Sequence, residues 1–171
     1  MRKILTAMTM IGLSGPTIAQ SALAVPHFGK IVDVPGAQER PDSKIEYRVV
    51  FGVTKAAPKR DQANPSLERV ARFVNLLTHY GVGRDNIHVV AIISGPATAI
   101  VRKPDGGASQ PIDAALIGEL TSAGVRVAVC SQAASAHGIA ATDLLPGVHL
   151  DVSAITTIAT LQAKGYGYQP D

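Results

Sequence analysis

The chain has 171 residues, of which 46% are hydrophobic, 17% charged and 4% aromatic, and its formal net charge is +3. This length suits a single domain, and the composition is too apolar for a disordered chain. The single cysteine excludes an internal disulfide framework and a zinc site built on several thiolates. Beyond the N-terminus, no uncharged apolar stretch approaches the roughly 20 residues that span a bilayer.

Residues 1–24 have the pattern of an export signal. Arg2 and Lys3 precede a short apolar core at 4–13, a Gly-Pro pair breaks that core, and Ala-Leu-Ala at the end matches a signal-peptidase site. We therefore predict cleavage after Ala24 and a periplasmic protein with no remaining membrane attachment. An uncleaved anchor is the alternative, and the short core followed by helix breakers argues against it.

Cleavage at this position changes the charge balance. It would remove two of the 16 basic residues and none of the 13 acidic ones, which leaves a net charge of +1. Lys55, Lys59 and Arg60 form a small basic loop, which we interpret as solvated surface. Because a nucleic-acid-binding protein needs a basic face, nucleic acid is not an expected partner.

The first elements follow a proline- and glycine-rich stretch. Residues 25–44 are predicted to form an extended arm or linker, and 45–171 a single domain. The nearly continuous apolar run at 47–53 predicts a buried strand. Asn64 followed by proline predicts the start of a helix, whose apolar face repeats at helical spacing until Gly81.

The same pattern then recurs. Residues 87–93 predict a second buried strand, and 125–130 predict a third. Between them, Pro111 opens a helix that Gly124 closes. The loop at 95–110 is too long for a simple turn, and we expect it to hold a short extra strand or a flap.

The C-terminal part is predicted to add helices and a last strand. A short helix follows the third strand and ends at His137-Gly138, and Asp151 or Ser153 caps a final helix before a short strand at 165–168. The predicted inward residues of that helix are Val152, Ile155, Ile158 and Leu161. Strands that alternate with helices predict a three-layer α/β fold, with a mostly parallel sheet flanked by helices on both faces.

Ligands in open α/β sheets collect at the carboxyl ends of the strands. Cys130 is the most informative residue there, because it ends a buried strand and opens a helix, whose free N–H groups would stabilise a thiolate. A lowered thiol pKa suits a sulfur nucleophile or a persulfide carrier. The alternative is that Cys130 packs as a small buried hydrophobe. The three expected ligand positions are Thr54-Lys55, Ser94-Gly95-Pro96 and Cys130-Ser131-Gln132.

Other chemistries have weaker support. Ser94 lies in Ile-Ser-Gly and not in the Gly-x-Ser-x-Gly elbow, so a serine hydrolase is disfavoured. The five histidines lack metal-ligand spacing, and no phosphate-binding Gly-x-x-x-x-Gly-Lys loop occurs. We expect no metal and no cofactor. No recognisable hydrolase, kinase or oxidoreductase motif is present, and whether the protein is an enzyme stays open.

The segment at 127–168 resembles the C-terminal half of the DsrE/DsrF-like sulfur-relay family. The resemblance rests on a Val-Cys-x-Gln segment at 129–132, a Leu-Leu-Pro-Gly-Val turn at 144–148, a Ser-Ala helix start at 153–154 and a Leu-Gln-x-x-Gly-Tyr string at 161–166. A looser similarity extends it to about residues 45–170.

The resemblance implies a compact α/β fold and a homo-oligomer, either a trimer or a hexamer. It also implies that a cysteine at the position of Cys130 carries persulfide sulfur between partner proteins. Two departures limit this transfer. Exported relatives often have His-Gly where this chain has Ser94-Gly95, and a glycine often follows the cysteine where this chain has Ser131.

The leading hypothesis is a periplasmic sulfur-handling protein that carries a persulfide, or binds a small sulfur species, at Cys130. Its expected partners are a small sulfur compound or a thiol protein. The candidate binding residues around the cysteine are Ser94, Gly95, Ser131 and Gln132. The alternative is a non-enzymatic oligomeric binding or scaffold module in which Cys130 is purely structural.

Overall fold

The computed structural model describes residues 23–57, 59, 61–104 and 111–171. The strands are β1 (Tyr47–Val53), β2 (Ile87–Ile93), β3 (Arg126–Cys130), β4 (Val148–Asp151) and β5 (Gly167–Gln169). The α-helices are α1 (Pro65–His79), α2 (Ile112–Ser122), α3 (Ser131–Ala136) and α4 (Ala154–Ala163). Short 3₁₀ helices cover Arg84–Asn86, Gly95–Val101 and Ala141–Asp143.

The five strands form one parallel sheet in the order β4-β3-β2-β1-β5. From β1 to β4 the chain steps in one direction across the sheet, whereas α4 carries it back from β4 to β5. Because parallel crossovers are right-handed, α1 and α2 lie on one face of the sheet and α4 lies on the other. The predicted three-layer α/β fold is confirmed.

The two faces have separate cores because side chains alternate along each strand. On the first face, Val53, Ile93 and Val129 pack with the apolar sides of α1 and α2. On the second face, a smaller cluster that includes Ile92 and Ala128 packs against α4. The second face is therefore covered by a single helix of ten residues.

The start of α1 is as the sequence predicts. The Asn64 side chain caps the helix by accepting from the N–H groups of Ser66 and Leu67, at 3.0 and 3.3 Å. Asn64 is itself fully buried, and its own N–H donates to the Asp113 carboxylate of α2. This cap fixes the loop between β1 and α1 at the carboxyl edge of the sheet.

The C-terminal part differs from the prediction in two ways. Strand β4 was not predicted, because its sequence Val-His-Leu-Asp carries no buried apolar run. Val152 and Ile155 are 76% and 79% exposed, so their predicted inward orientation is wrong, whereas Ile158 and Leu161 do pack on the second face. Helix α4 is apolar on most sides, and its periodicity therefore does not define one buried face.

In the loop after β2, the described residues 94–104 form a 3₁₀ helix and no regular strand. Beyond it, Arg102 makes an isolated antiparallel bridge with Leu144. The Leu145 N–H also donates to the Val101 carbonyl at 2.8 Å, so this segment packs against its own chain. Residues 105–110 of the predicted flap lie outside the described residues.

The arm that precedes β1 contains no helix or strand, and its first residues are built into the domain. Val25 is fully buried, and its N–H and carbonyl both bond to the buried Asn75 amide, at 2.8 and 2.9 Å. The Gly29 N–H donates to Glu68 of α1 at 2.7 Å. Residues 1–22 of the predicted export signal lie outside the described residues. No helix in the described part of the chain is long and apolar enough to cross a membrane.

Candidate functional site at the carboxyl edge of the sheet

The chain topology opens a crevice between the ends of β3 and β4. The helix after β3 contributes to the first face, whereas the helix after β4 covers the second face. Adjacent strands whose following helices diverge in this way define a switch point, and ligands of open α/β sheets bind there. Cys130 is the last residue of β3 and pairs with Asp151, the last residue of β4. The sequence's one cysteine therefore lies at the switch point.

Two helix N-termini converge on the Cys130 sulfur. Burial raises the pKa of this thiol, but the N–H groups of Ala154, Ala133 and Gln132 and the Ser153 hydroxyl together hold the pKa below its ordinary value. None of the α3 N–H groups forms a capping hydrogen bond with the Cys130 side chain. The donors therefore act as oriented dipoles that stabilise a negative charge on the sulfur.

The predicted binding residues Ser131 and Gln132 connect the two sides of the crevice. The Ser131 hydroxyl donates to the Val152 carbonyl at 2.8 Å, and the Gln132 amide approaches the same carbonyl at 3.4 Å. These bonds tie the start of α3 to the loop that leads into α4. Beside this bridge, Cys130 is only 7% exposed.

The other two predicted residues lie on the neighbouring strand. Ile93 of β2 pairs with Val129 of β3, and Ser94 and Cys130 are the next residue on each side. Ser94 is therefore level with Cys130, and neighbouring strands lie about 4.8 Å apart. The alternation along β2 directs its side chain to the same face as Cys130. Ser94 makes no side-chain hydrogen bond to the 3₁₀ helix that it precedes. Gly95 has φ +57° and turns the chain away from the sheet.

Two site residues were not predicted for this role. Ser153 and Ala154 reach the cysteine from the opposite side of the crevice, although they lie more than 20 positions away in sequence. A serine before an apolar helix indicates an N-cap, but that signal does not say which strand the helix N-terminus faces.

An ion pair fixes the relative positions of β3, β4 and α4. Arg126 donates to both carboxylate oxygens of Asp151, at 2.5 and 3.2 Å, and the Thr157 hydroxyl of α4 donates to the same carboxylate at 2.8 Å. The pair borders an open groove of about 600 Å³ between α4 and the sheet. The groove lining includes Val90, Leu150, Val152, Leu161, Lys164 and Tyr166. No group of three or more His, Cys, Asp or Glu side chains suited to a metal occurs in the described ranges.

Fold and site together define a parallel α/β protein with a single thiol at the switch point of its sheet. The model of the DsrE/DsrF-like family matches residues 47–168, and the chain belongs to this family. The search of curated proteins returned no match.

Two solved structures share the fold. A protein of unknown function, MTH1491 from Methanobacterium thermoautotrophicum, is 24% identical with a TM-score of 0.58. The ychN protein from E. coli is 15% identical with a TM-score of 0.56. Each match covers 73% of this chain and 99% of the other chain.

Proposed function

We propose that this protein is a periplasmic sulfur carrier that holds sulfane sulfur as a persulfide on Cys130. The observation that carries the proposal is the position of this thiol between the N-termini of α3 and α4, at the switch point of the sheet. Membership of the DsrE/DsrF-like family supports the same reading. A thiolate is the reactive form of cysteine, and both helix ends favour that form.

The loading step needs no outside oxidant. The Cys130 thiolate attacks the terminal sulfur of a donor persulfide, a new S–S bond forms, and the donor leaves as a thiolate. Delivery is the reverse exchange with an acceptor thiolate. The donors around Cys130 suit both directions, because each direction places negative charge on sulfur within the same group of dipoles.

The burial of Cys130 favours a second candidate, a binding or scaffold module in which the thiol is structural. With 7% of its surface exposed, the residue resembles the free cysteines that pack as small hydrophobes. The lowered thiol pKa supports the carrier, because an apolar environment alone would raise it. Reactivity of the folded protein separates the two candidates.

The test is intact-mass analysis of the folded protein after brief exposure to polysulfide at neutral pH. We expect the wild type to gain sulfur atoms and to lose them again on treatment with a thiol reductant. Cys130→Ala should gain none, since the sequence holds no other cysteine. Cys130→Ser is the matched control that keeps the size and a hydroxyl at this position.

Absence of an adduct on folded wild type, with modification of Cys130 only after denaturation, would reject the carrier and leave the structural role. Delivery is tested by incubating the loaded protein with a small thiol and following loss of the added mass. Stable retention of the sulfur in the presence of excess thiol would also contradict a carrier.

Export and self-association are part of the proposal. Cleavage after Ala24 would retain every arm residue that bonds to α1, beginning with Val25. The mass of the mature protein from a periplasmic extract of cells that express the full sequence tests this site. We also propose a homotrimer or homohexamer, with the partner in sulfur exchange being a small sulfur compound or another thiol protein.

A further inference from the structure

The loop after β1 forms a cradle of donors around a carboxylate of the same chain. The N–H groups of Thr54 and Lys55 donate to one oxygen of Asp171 at 2.6 and 2.8 Å, and the Thr54 hydroxyl donates to it at 2.9 Å. The Ser66 hydroxyl donates to the other oxygen. Four donors from two elements thus converge on one small anionic group, at a position where the sequence predicts a ligand.

Neighbouring groups hold these donors in place without Asp171. The Asn64 amide donates to the Lys55 carbonyl at 2.7 Å, and the Asn64 N–H is bound by Asp113 at 2.6 Å. On the other side, the Ala97 N–H donates to the Thr54 carbonyl at 3.2 Å. The cradle is therefore built by the loop and its surroundings, and the carboxylate is its occupant.

The segment that supplies this occupant is held weakly by comparison. It follows β5, which has three exposed residues and three register pairs with β1. Arg69 of α1 donates through Nη2 to the Pro170 carbonyl at 2.6 Å, but its buried Nε has no partner. An unused guanidinium donor thus lies beside the segment that fills the cradle.

We propose that this cradle is a binding site for a small oxyanion, and that Asp171 is a displaceable internal ligand that fills it when the oxyanion is absent. The site takes anions with at least two oxygen atoms on one centre, the class that includes carboxylates, sulfate, thiosulfate and phosphate. It is separate from the thiol, because β2 lies between β1 and β3 and two strand spacings amount to about 10 Å. The inference goes beyond the proposed sulfur chemistry and does not depend on it.

The test removes the internal ligand and supplies the anion from solution. Thermal midpoints of full-length Asp171→Ala are measured against acetate, sulfate, thiosulfate and phosphate, with chloride at matched ionic strength as the reference. We expect the thermal midpoint to rise and then saturate as the concentration of at least one oxyanion increases. The oxyanion that produces this rise identifies the kind of anion that the site binds. When Ser66→Ala is added to Asp171→Ala, the affinity for the oxyanion should fall about tenfold, because one hydrogen-bond donor to the anion is lost. Asp85→Ala, at an exposed position, is the matched control and should respond as wild type does.

A second measurement locates the anion. Amide NMR shifts of Thr54 and Lys55 should move with oxyanion in Asp171→Ala, and in wild type only at about tenfold higher concentration or more, because the internal ligand must first leave. If Asp171→Ala does not fold, Asp171→Asn keeps the shape and removes the charge. A variant that folds but shows no saturable response, or a response that Ser66→Ala leaves unchanged, would show that Asp171 is only a structural clasp. The same conclusion follows if wild type does not respond at any accessible concentration.

Discussion

The hydroxyl of Ser153 is one of the donors that hold the pKa of the Cys130 thiol below its ordinary value. Ser153→Ala removes this donor, so we expect the pKa of the thiol to rise towards its ordinary value. At neutral pH the rate of reaction with an uncharged thiol reagent should fall about three- to tenfold. Ultraviolet absorbance of the thiolate against pH measures the pKa, and Ser153→Thr is the control that keeps the hydroxyl. An unchanged titration in Ser153→Ala would show that backbone N–H groups alone set the thiol chemistry.

The Asp171 carboxylate makes the stability of the folded protein depend on pH, and the sign of this dependence follows from its pKa. Burial acts to raise the pKa of its carboxyl, but the bonds from Ser66, Thr54 and Lys55 outweigh burial and lower the pKa from 3.8 to about 2. The stabilisation is therefore present above about pH 4 and is lost as the pH falls through about 2.

Asp171→Asn should lose this dependence. Because the group is partly exposed, we expect a difference of about 1 to 2 kcal/mol at neutral pH that disappears in acid. Urea unfolding of both proteins between pH 2 and pH 6 measures it, and the other carboxyl groups cancel in the comparison. A constant difference across this range would mean that the side-chain shape matters and its charge does not.

At the scale of elements, the arm packs directly on the backbone of α1. Gly29 has φ +63°, and a Cβ there would lie 2.3 Å from the backbone nitrogen of Arg72. Gly29→Ala should therefore cost about 2 kcal/mol or more, or release the arm from α1. Gly36→Ala is the matched control, since a Cβ there meets nothing within 4 Å. Urea unfolding measures the loss, and equal midpoints for the two variants would contradict the close packing.

The sequence predicts the elements whose pattern is local. Strands β1, β2 and β3 are nearly continuous apolar runs, and α1 has its own cap at Asn64. Strand β4 escapes prediction because it lies at a sheet edge, where its residues stay half-buried or exposed. The buried side of α4 also depends on tertiary contacts, because Ile155 and Ile158 look alike in sequence and differ only in what lies beneath them.

In the candidate site, too, some residues can be predicted from local sequence and others depend on tertiary contacts. Cys130 is predictable, because the end of a buried strand and the start of a helix are both local signals. Its partner Ser153 is not, since the approach of α4 depends on the reversed crossover from β4 to β5. Asp171 is the extreme case, because its contact with Thr54 spans 117 positions and joins two loops.

At the scale of the whole molecule, the exposed apolar side chains around α4 favour self-association. Leu150, Val152 and Ile155 are 44%, 76% and 79% exposed. The first two line the groove on the second face, and Ile155 lies in the first turn of α4. Large apolar side chains exposed close together in the sequence are typical of an interface. We expect light scattering to show a trimer or hexamer at micromolar concentration.

Ile155→Asp should weaken that association about thirtyfold or more, because it removes an apolar side chain whose burial in the interface would contribute about 2 kcal/mol, and it adds a charge. Val32→Asp is the matched control at an equally exposed position in the arm. A wild type that stays monomeric would reject the oligomer, and equal effects of the two variants would place the interface elsewhere.

The solitary position of Cys130 has a consequence for redox chemistry. In carriers with two cysteines, a resolving thiol attacks the oxidised sulfur and closes a disulfide within the chain. Here a sulfenic acid at Cys130 would meet no such thiol, since the sequence has no second cysteine. Its repair, like the discharge of the persulfide that we propose, would have to come from another molecule. If the protein is the carrier that we propose, a shortage of such thiols would expose Cys130 to over-oxidation to the sulfinic acid, and the supply of thiols would then set its working life.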